Sequence, residues 1–365
     1  MPEFDAFESN IEPTFIYNKL EGTHNISDKK HLFLNMVSYY ENLEDDILDS
    51  IPLTFLVYNG SDDESFQTFL ASTKQDFIND IQKSTTSETS NSYYSDENQS
   101  KYWIIKPGEN SNRGNGIQLW ANVDDLKSYM RSNPRKWYII QEYITRPMLI
   151  NKRKFDIRCF GLFTSINGHK RWYFYQGGYI RTSSHEFSLD DPDDKFVHLT
   201  NDAIQTHSED YGKYETCNKI SFLDFEKYLE SNYLHGSFYE KIFPKIKRLV
   251  RDTFSCAFTK IDPNLRTNGF ELYGFDIMLD EDWKVYLIEA NTNPCLETPW
   301  PLLSSLITSV LDNTFRLTID LLCPPPDDYT SRPSSKPMFD ALNTLNKFEL
   351  ILDSNYNEGL ETDDI

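Results

Sequence analysis

The sequence contains no Cys-x-x-Cys pair. Cys159, Cys217, Cys256, Cys295 and Cys323 are odd in number and widely scattered. That spacing argues against a zinc site and a disulfide framework, and fits a reducing cytoplasm. No apolar run approaches the ~18 residues needed to cross a bilayer. The opening Met1-Pro2-Glu3-Phe4-Asp5 is acidic and lacks an apolar h-region, so no signal peptide is expected. Basic residues are scarce. The 36 Lys and Arg stand against 57 Asp and Glu, and the net charge of −21 argues against general nucleic-acid binding. What the chain does have is 39% hydrophobic and 15% aromatic residues over 365 positions, enough for folded lobes with real cores.

The charge is unevenly spread. Residues 1–100 hold 5 Lys/Arg against 19 Asp/Glu, whereas residues 101–181 hold 15 against 5. One basic segment in an acidic chain suggests a site for polyanions, either nucleotide phosphates or an acidic peptide; a solvated basic face would have the same composition. Lys152 and Arg153 are expected to meet the acidic ligand. Segments 51–58, 102–106, 137–141, 154–163, 171–181, 270–279 and 284–290 are rich in β-branched and aromatic residues and predict strands. Apolar residues at three- and four-residue spacing predict helices over 123–131, 222–231, 239–259 and 301–321. The expected class is α+β. The expected domains are a small N-terminal domain 1–60, a central lobe 61–150 with a mobile Ser/Thr/Asn-rich loop at 83–100, a C-terminal lobe 151–325, and a loose acidic tail 326–365 with one helix around 339–350.

Four segments carry candidate chemistry. Trp103 to Lys106 is a strand running into a polar glycine loop through Gly108, Arg113, Gly114 and Gly116. No Gly-Lys-Ser/Thr follows, so this is not a Walker A loop. Its glycines still let backbone N–H groups approach an anion, and Lys106 can send an ammonium to the same phosphates. A plain hairpin turn would use the same residues. Gln141-Glu142-Tyr143-Ile144 ends the next strand, where it either offers backbone groups to an adenine edge or simply leads to a turn at Pro147. Lys154, Asp156 and Arg158 alternate with Phe155, Ile157 and Cys159, so three charges share one strand face. They form either the floor of a phosphate or carboxylate site, to which Arg181 adds a cation, or a self-compensated wet face.

The fourth segment is a hairpin. Residues 270–279 and 284–290 flank Asp280-Glu281-Asp282-Trp283, and the turn predicts Asp276 opposite Leu287, with Glu289 its diagonal neighbour and Asn291 on the same face. Two carboxylates and an amide oxygen form a hard-oxygen site suited to magnesium shared with nucleotide phosphates. The alternative is a hairpin with its polar residues turned to water.

Read in order, these segments resemble the tubulin–tyrosine ligase family, an ATP-grasp group. The resemblance runs from about His31 to about Pro326. It rests on Lys106-Pro107 with the Asn112-Arg113-Gly114-x-Gly116-Ile117 loop, Gln141-x-Tyr143-Ile144, Lys154-Phe155-Asp156-Ile157-Arg158, His198-Leu199-Thr200-Asn201, Tyr273-Gly274-Phe275-Asp276 and Leu287-Ile288-Glu289-Ala290-Asn291. It implies an ATP-grasp fold, two α+β lobes clasping ATP plus a small N-terminal element. It implies Lys106 and Lys154 on the phosphates, and Ile104, Gln141, Glu142, Tyr143, Ile144, Met278 and Ile288 around the adenine. Asp156, Thr200 and Asn201 would contact the nucleotide. Arg158 and Arg181 would lie near the reacting groups with Glu289 catalytic, and magnesium would sit on Asp276, Glu289 and Asn291. The implied reaction spends ATP to join tyrosine, glutamate or glycine to a glutamate of tubulin tails through an acylphosphate, in a cytoplasmic monomer associated with microtubules or cilia, with no nucleic-acid or membrane partner. Tyr211 to Asn218 and Phe222 to Tyr228 resemble the tyrosine ligase, whereas Asn291 to Glu297 resembles the side-chain modifiers. The rival readings are a catalytically silent ATP-binding protein on microtubules, a ligase for another acidic protein, and a small-molecule ligase.

Overall fold

Alternating aromatic and polar residues resolve into twelve strands among the described residues of the computed structural model, which are 15–74, 101–108, 116–133, 137–234, 236–265, 268–298, 300–324 and 346–354. The strands are β1 (Ile16–Tyr17), β2 (Thr54–Val57), β3 (Trp103–Pro107), β4 (Gln118–Trp120), β5 (Tyr138–Glu142), β6 (Leu149–Ile150), β7 (Arg153–Ile166), β8 (His169–Thr182), β9 (Lys219–Ser221), β10 (Asn268–Leu279), β11 (Val285–Thr292) and β12 (Phe348–Asp353). They belong to a mixed α+β fold in two compact units that interleave along the chain. The larger unit takes Met1–Ser50, Phe155–Thr182 and Tyr211–Ile365; the smaller takes Ile51–Lys154 and Ser183–Asp210.

In the smaller unit β2-β5-β3-β4 form an antiparallel sheet. One face carries Val57, Trp103, Ile105 and Ile140, which bury against Phe66, Phe69 and Leu70 of a helix at 64–74 and against Leu126 and Met130 of the helix Val123–Ser132. That second helix starts where the Asn122 side chain accepts the Asp124 and Asp125 N–H groups. Two acids in its first turn complement the helix dipole. With one face committed to this core, strand alternation puts Thr54, Ile104, Lys106 and Gln141 on the other.

In the larger unit the sheet runs β1-β10-β7-β8-β12, with β11 on β10 and β9 on β8. One face is aromatic: Phe155 meets Phe225, and Phe163 and Phe275 meet Phe254. These partners come from the helices Phe222–Asn232 and Phe243–Ser255. On the other face Phe160 and Leu162 pack with Leu303, Ile307 and Val310 of the helix Pro301–Leu317. Arg158 and Asp156 share that second face two and four residues before Phe160, so a single strand passes from polar site to apolar core without changing face. Residues 15–50 join this unit through the helix Lys29–Leu43, where the Tyr40 hydroxyl reaches Asp252 Oδ2 at 3.0 Å and Ser50 Oγ at 2.8 Å.

Several expected elements differ. The helix expected at 239–259 opens with a π-helical turn, Phe238–Ile242, before Phe243–Ser255, because Pro244 in the first α-turn has no N–H to donate. The helix expected at 301–321 breaks at Thr318 into Pro301–Leu317 and Ile319–Leu322. The helix expected around 339–350 is corrected at its end: Phe348–Asp353 is a strand on β8. Buried Phe348 and the ion pairs Lys247–Glu349 (2.6 Å) and Arg171–Asp353 (2.7 Å) fix it there. The rest of that expected helix, and the loop 83–100, lie outside the described residues.

β7 and β8 shift register between Cys159 and Gly161, and Gly178 stands opposite Cys159. A Cβ on Gly178 would lie 2.3 Å from the Arg158 carbonyl and 2.5 Å from the Phe222 ring. Gly178→Ala should therefore cost about 1–3 kcal/mol through overpacking next to Arg158. A melting temperature equal to wild type, followed by circular dichroism, would refute this account of the shift.

Candidate active site

Four neighbouring strands of the larger unit carry one row of charges. Asp156 on β7 faces Arg181 on β8, and Arg158 on β7 faces Asp276 on β10. Asp276 in turn faces Glu289 on β11. Directly opposite residues share a sheet face, so all five point the same way. Arg181 holds Asp156 through both carboxylate oxygens, at 2.6 and 2.5 Å. Its Nη2 also lies 2.8 Å from Asp276 Oδ2, while Arg158 Nε donates to Asp276 Oδ1 at 2.6 Å. Burial alone would push the Asp276 carboxyl up. The two guanidiniums outweigh it and hold the carboxyl well below the usual range. Room for Arg158 comes from Gly274, where a Cβ would sit 3.1 Å from Arg158 Nη1.

The pairing of Asp276 corrects the expected register. From Leu279↔Val285 to Ile277↔Leu287 the ladder is regular; then Asp276 pairs with Glu289, not Leu287. Ile288 is the extra residue of a β-bulge in β11, and it brings Glu289 directly opposite Asp276 instead of on the diagonal. Asp280 Oδ1 anchors the turn by accepting the Asp282 and Lys284 N–H groups at 3.0 and 2.9 Å. Met278 lies two residues beyond Asp276 on the same face. The Asn291 amide donates to Glu289 Oε1 at 2.9 Å, and Lys29 reaches Glu289 Oε2 at 3.0 Å. The donor set of Asp276, Glu289 and Asn291 is hard oxygen and suits magnesium. Both Asp276 oxygens already hold guanidiniums, so partly exposed Glu289, with its spare lone pairs, is the better ligand.

The smaller unit holds a second cluster. Lys106 Nζ donates to Gln141 Oε1 at 2.8 Å, and Gln141 Nε2 donates to Thr54 Oγ1 at 2.9 Å. Ile104 lies directly opposite Gln141. The Glu142 and Tyr143 N–H groups donate to the Leu53 and Tyr102 carbonyls, so these two donors serve the sheet; Ile144 follows them. Lys154 follows the two-residue turn Asn151-Lys152, whose residues both have positive φ, at 48° and 63°. Its ammonium donates to the Tyr143 hydroxyl at 3.0 Å and the His198 carbonyl at 2.9 Å. Thr200 is buried, and Asn201 opens the short helix Asp202–Gln205 without using its side chain as a cap. Gly108 has a packing role, because a Cβ there would overlap the Trp137 ring. Arg113 and Gly114 lie outside the described residues.

A family model described as the Tubulin-tyrosine ligase family matches residues 23–331. The chain belongs to the tubulin–tyrosine ligase family. Similar members include tubulin glycylase 3B of Tetrahymena thermophila, 32% identical over 218 residues, which are 60% of this chain and 18% of that protein. The protein monoglycylase TTLL8 of Mus musculus is 34% identical over 227 residues, 60% of this chain and 27% of its own length. A probable alpha-tubulin polyglutamylase Ttll1 of Tetrahymena thermophila is 32% identical over 243 residues, 64% of this chain and 56% of its own. The chain therefore spans a minor part of the first two relatives and just over half of the third.

Within this tubulin–tyrosine ligase family chain, three contacts were not legible from motifs. Thr54 and Lys29 are far in sequence from Gln141 and Glu289, and no local pattern links them. His198 stood inside a recognised motif, yet nothing local tied it to Tyr143. Arg153 corrects an expectation: it is 1% exposed and donates to the Ser183 carbonyl, so it cannot greet a ligand at the surface. Lys152 is exposed and lies 3.7 Å from Glu186.

The buried row makes a stability forecast. Asp276→Asn keeps the shape but strips two buried guanidiniums of a shared counter-charge, which should cost about 3–5 kcal/mol. Removing Lys227, whose 3.4 Å pair with Asp224 is exposed, should cost under about 0.5 kcal/mol. Urea denaturation of the two variants checks the contrast, and equal losses would mean the row is not held by charge pairing.

Proposed function

We propose that this chain is an ATP-dependent carboxylate–amine ligase of ATP-grasp type that adds an amino acid to glutamate side chains of tubulin tails. The observation that carries the reading is the buried row Arg181–Asp156–Arg158–Asp276 beside Glu289, found in a family whose similar members are named tubulin glycylases and a tubulin polyglutamylase. Those names, together with the Asn291 to Glu297 segment, favour glycine or glutamate over tyrosine as donor.

ATP is a substrate here. Lys106 and Lys154 hold its phosphates, and Gln141 to Ile144 with Ile104, Met278 and Ile288 surround the adenine. Asp156, Thr200 and Asn201 complete the nucleotide contacts. Magnesium, held by Glu289 with Asp276 and Asn291, would neutralise phosphate charge and polarise the γ-phosphoryl group. An acceptor carboxylate oxygen attacks the γ-phosphorus, and ADP leaves. The donor's amine then attacks the acyl carbon, loses a proton and expels phosphate. Arg158 and Arg181 are fixed by their carboxylates before substrate arrives, so their remaining N–H groups meet developing negative charge with little reorganisation.

Tubulin, ATP and each radiolabelled amino acid in turn should give incorporation of glycine or glutamate. Glu289→Gln should keep the fold and lower ADP release by at least about 10²-fold. Incorporation into a different acidic protein and not into tubulin would move the acceptor. ADP release by Glu289→Gln at the wild-type rate would remove the metal assignment, and no ligation with any donor would defeat the ligase reading.

A further inference from the structure

Lys154 is buried in the smaller unit, where its ammonium lies 4.3 Å from the centre of the Tyr143 ring and donates to that residue's hydroxyl oxygen. The chain of contacts continues. The Tyr143 oxygen is 2.9 Å from His198 Nδ1, and His198 Nε2 is 3.0 Å from the Asp191 carbonyl oxygen. A carbonyl oxygen only accepts, so Nε2 carries the proton. In the neutral ring Nδ1 must then accept, and among the described residues the proton aimed at it is that of the Tyr143 hydroxyl. The phenolic oxygen thereby presents lone pairs to Lys154. One arrangement of protons satisfies all three groups, and the imidazole sets it.

We propose that His198 is a positioning residue for Lys154. As a neutral imidazole it takes the Tyr143 proton, and the tyrosine oxygen then aims the lysine ammonium. The inference rests on the proposed role of Lys154 toward the ATP phosphates. If His198 gained a second proton, Nδ1 would become a donor. The Tyr143 oxygen would then face two cationic donors, and its own proton would lose its acceptor. The groups around the ring are Tyr143, Lys154, Asp191 and Asp194, the last held by His185 at 2.8 Å. Burial and the Lys154 charge lower the His198 pKa, and the two aspartates and the Asp191 carbonyl offset them only in part. The neutral form is therefore the one present near pH 7, and the arrangement fails as pH falls below the usual histidine range.

Calorimetry of magnesium-ATP binding to the full chain between pH 5.5 and 8 tests this. Titration of ATP itself is common to every variant and cancels in comparison. His198→Asn offers an oxygen at the Nδ1 position and does not titrate there. Wild type should lose about tenfold more affinity than His198→Asn between pH 7.5 and 5.5, roughly the weight of one charge-assisted hydrogen bond. At pH 7.5 His198→Leu and Tyr143→Phe should each bind about tenfold more weakly than wild type, with no further loss in the double variant, while His198→Asn should recover most of the affinity. Parallel pH profiles for wild type and His198→Asn would overturn the proposal. So would a protonated Nδ1 assigned to His198 itself in the ¹⁵N spectrum of the wild-type chain at pH 7.5; His31 and His185, whose Nδ1 atoms face carboxylates, give protonated Nδ1 signals of their own. Lys154→Met separates the two levels of inference. If it binds ATP as wild type does, Lys154 holds no phosphate and the underlying reading fails. If it binds weakly while His198→Leu and Tyr143→Phe bind normally, only the positioning role fails.

Discussion

Asp276 carries two guanidiniums, and the larger sheet is arranged around that fact. Taking an ion out of water costs several kcal/mol even after relaxation, and attraction to a partner repays it only with good geometry. Here the geometry is set by strand register: β7, β8 and β10 must keep Asp156 against Arg181 and Arg158 against Asp276. A slip of one residue in any of these ladders would turn the charges into the aromatic layer on the opposite face. The polar row therefore acts as a register lock, and the Phe225 and Phe254 layer behind it resists the same slip.

The same row depends on an irregularity. Without the bulge, regular pairing would continue from Ile277↔Leu287 and set Ile288 opposite Asp276. The bulge turns Glu289 into the row and leaves it at the edge of the charge network, where Lys29 meets it. Asp276 is held on both oxygens by arginines, whereas Glu289 is held by a lysine and an amide. One carboxylate is suited to fixing the site and the other to exchanging partners.

Much of this was legible in the sequence because it is local. Alternation in Lys154 to Arg158 and the turn at Asp280 to Trp283 predict which residues share a face, and neither needs distant information. The bulge was not legible, since the Leu287 to Asn291 run reads equally well as a regular strand. Nor could Lys29 be matched to Glu289, or His198 to Tyr143, when the chain leaves each unit and returns to it. Residues 348–350, the end of the helix expected around 339–350, form part of the strand Phe348–Asp353 instead, because a short apolar run fits either period and the edge of β8 decides it.

The basic segment also reads differently once folded. Residues 101–181 hold fifteen Lys and Arg, and among those that the structure describes six are buried: Lys106, Arg153, Lys154, Arg158, Lys170 and Arg181. Arg153 donates to the Ser183 carbonyl and Lys170 to the Ile261 carbonyl, so these two charges serve the fold. Arg158 and Arg181 are offset by Asp156 and Asp276. A net of +10 in sequence is therefore a much weaker field at the surface. In a chain of net −21 the proposed acidic acceptor would gain little from long-range attraction, which a Debye length of about 8 Å would screen in any case. In the proposed reaction the site's cations would act at contact distance, on groups already delivered to them. Their value there would lie in being immobile and dehydrated when negative charge develops, not in drawing the substrate from afar.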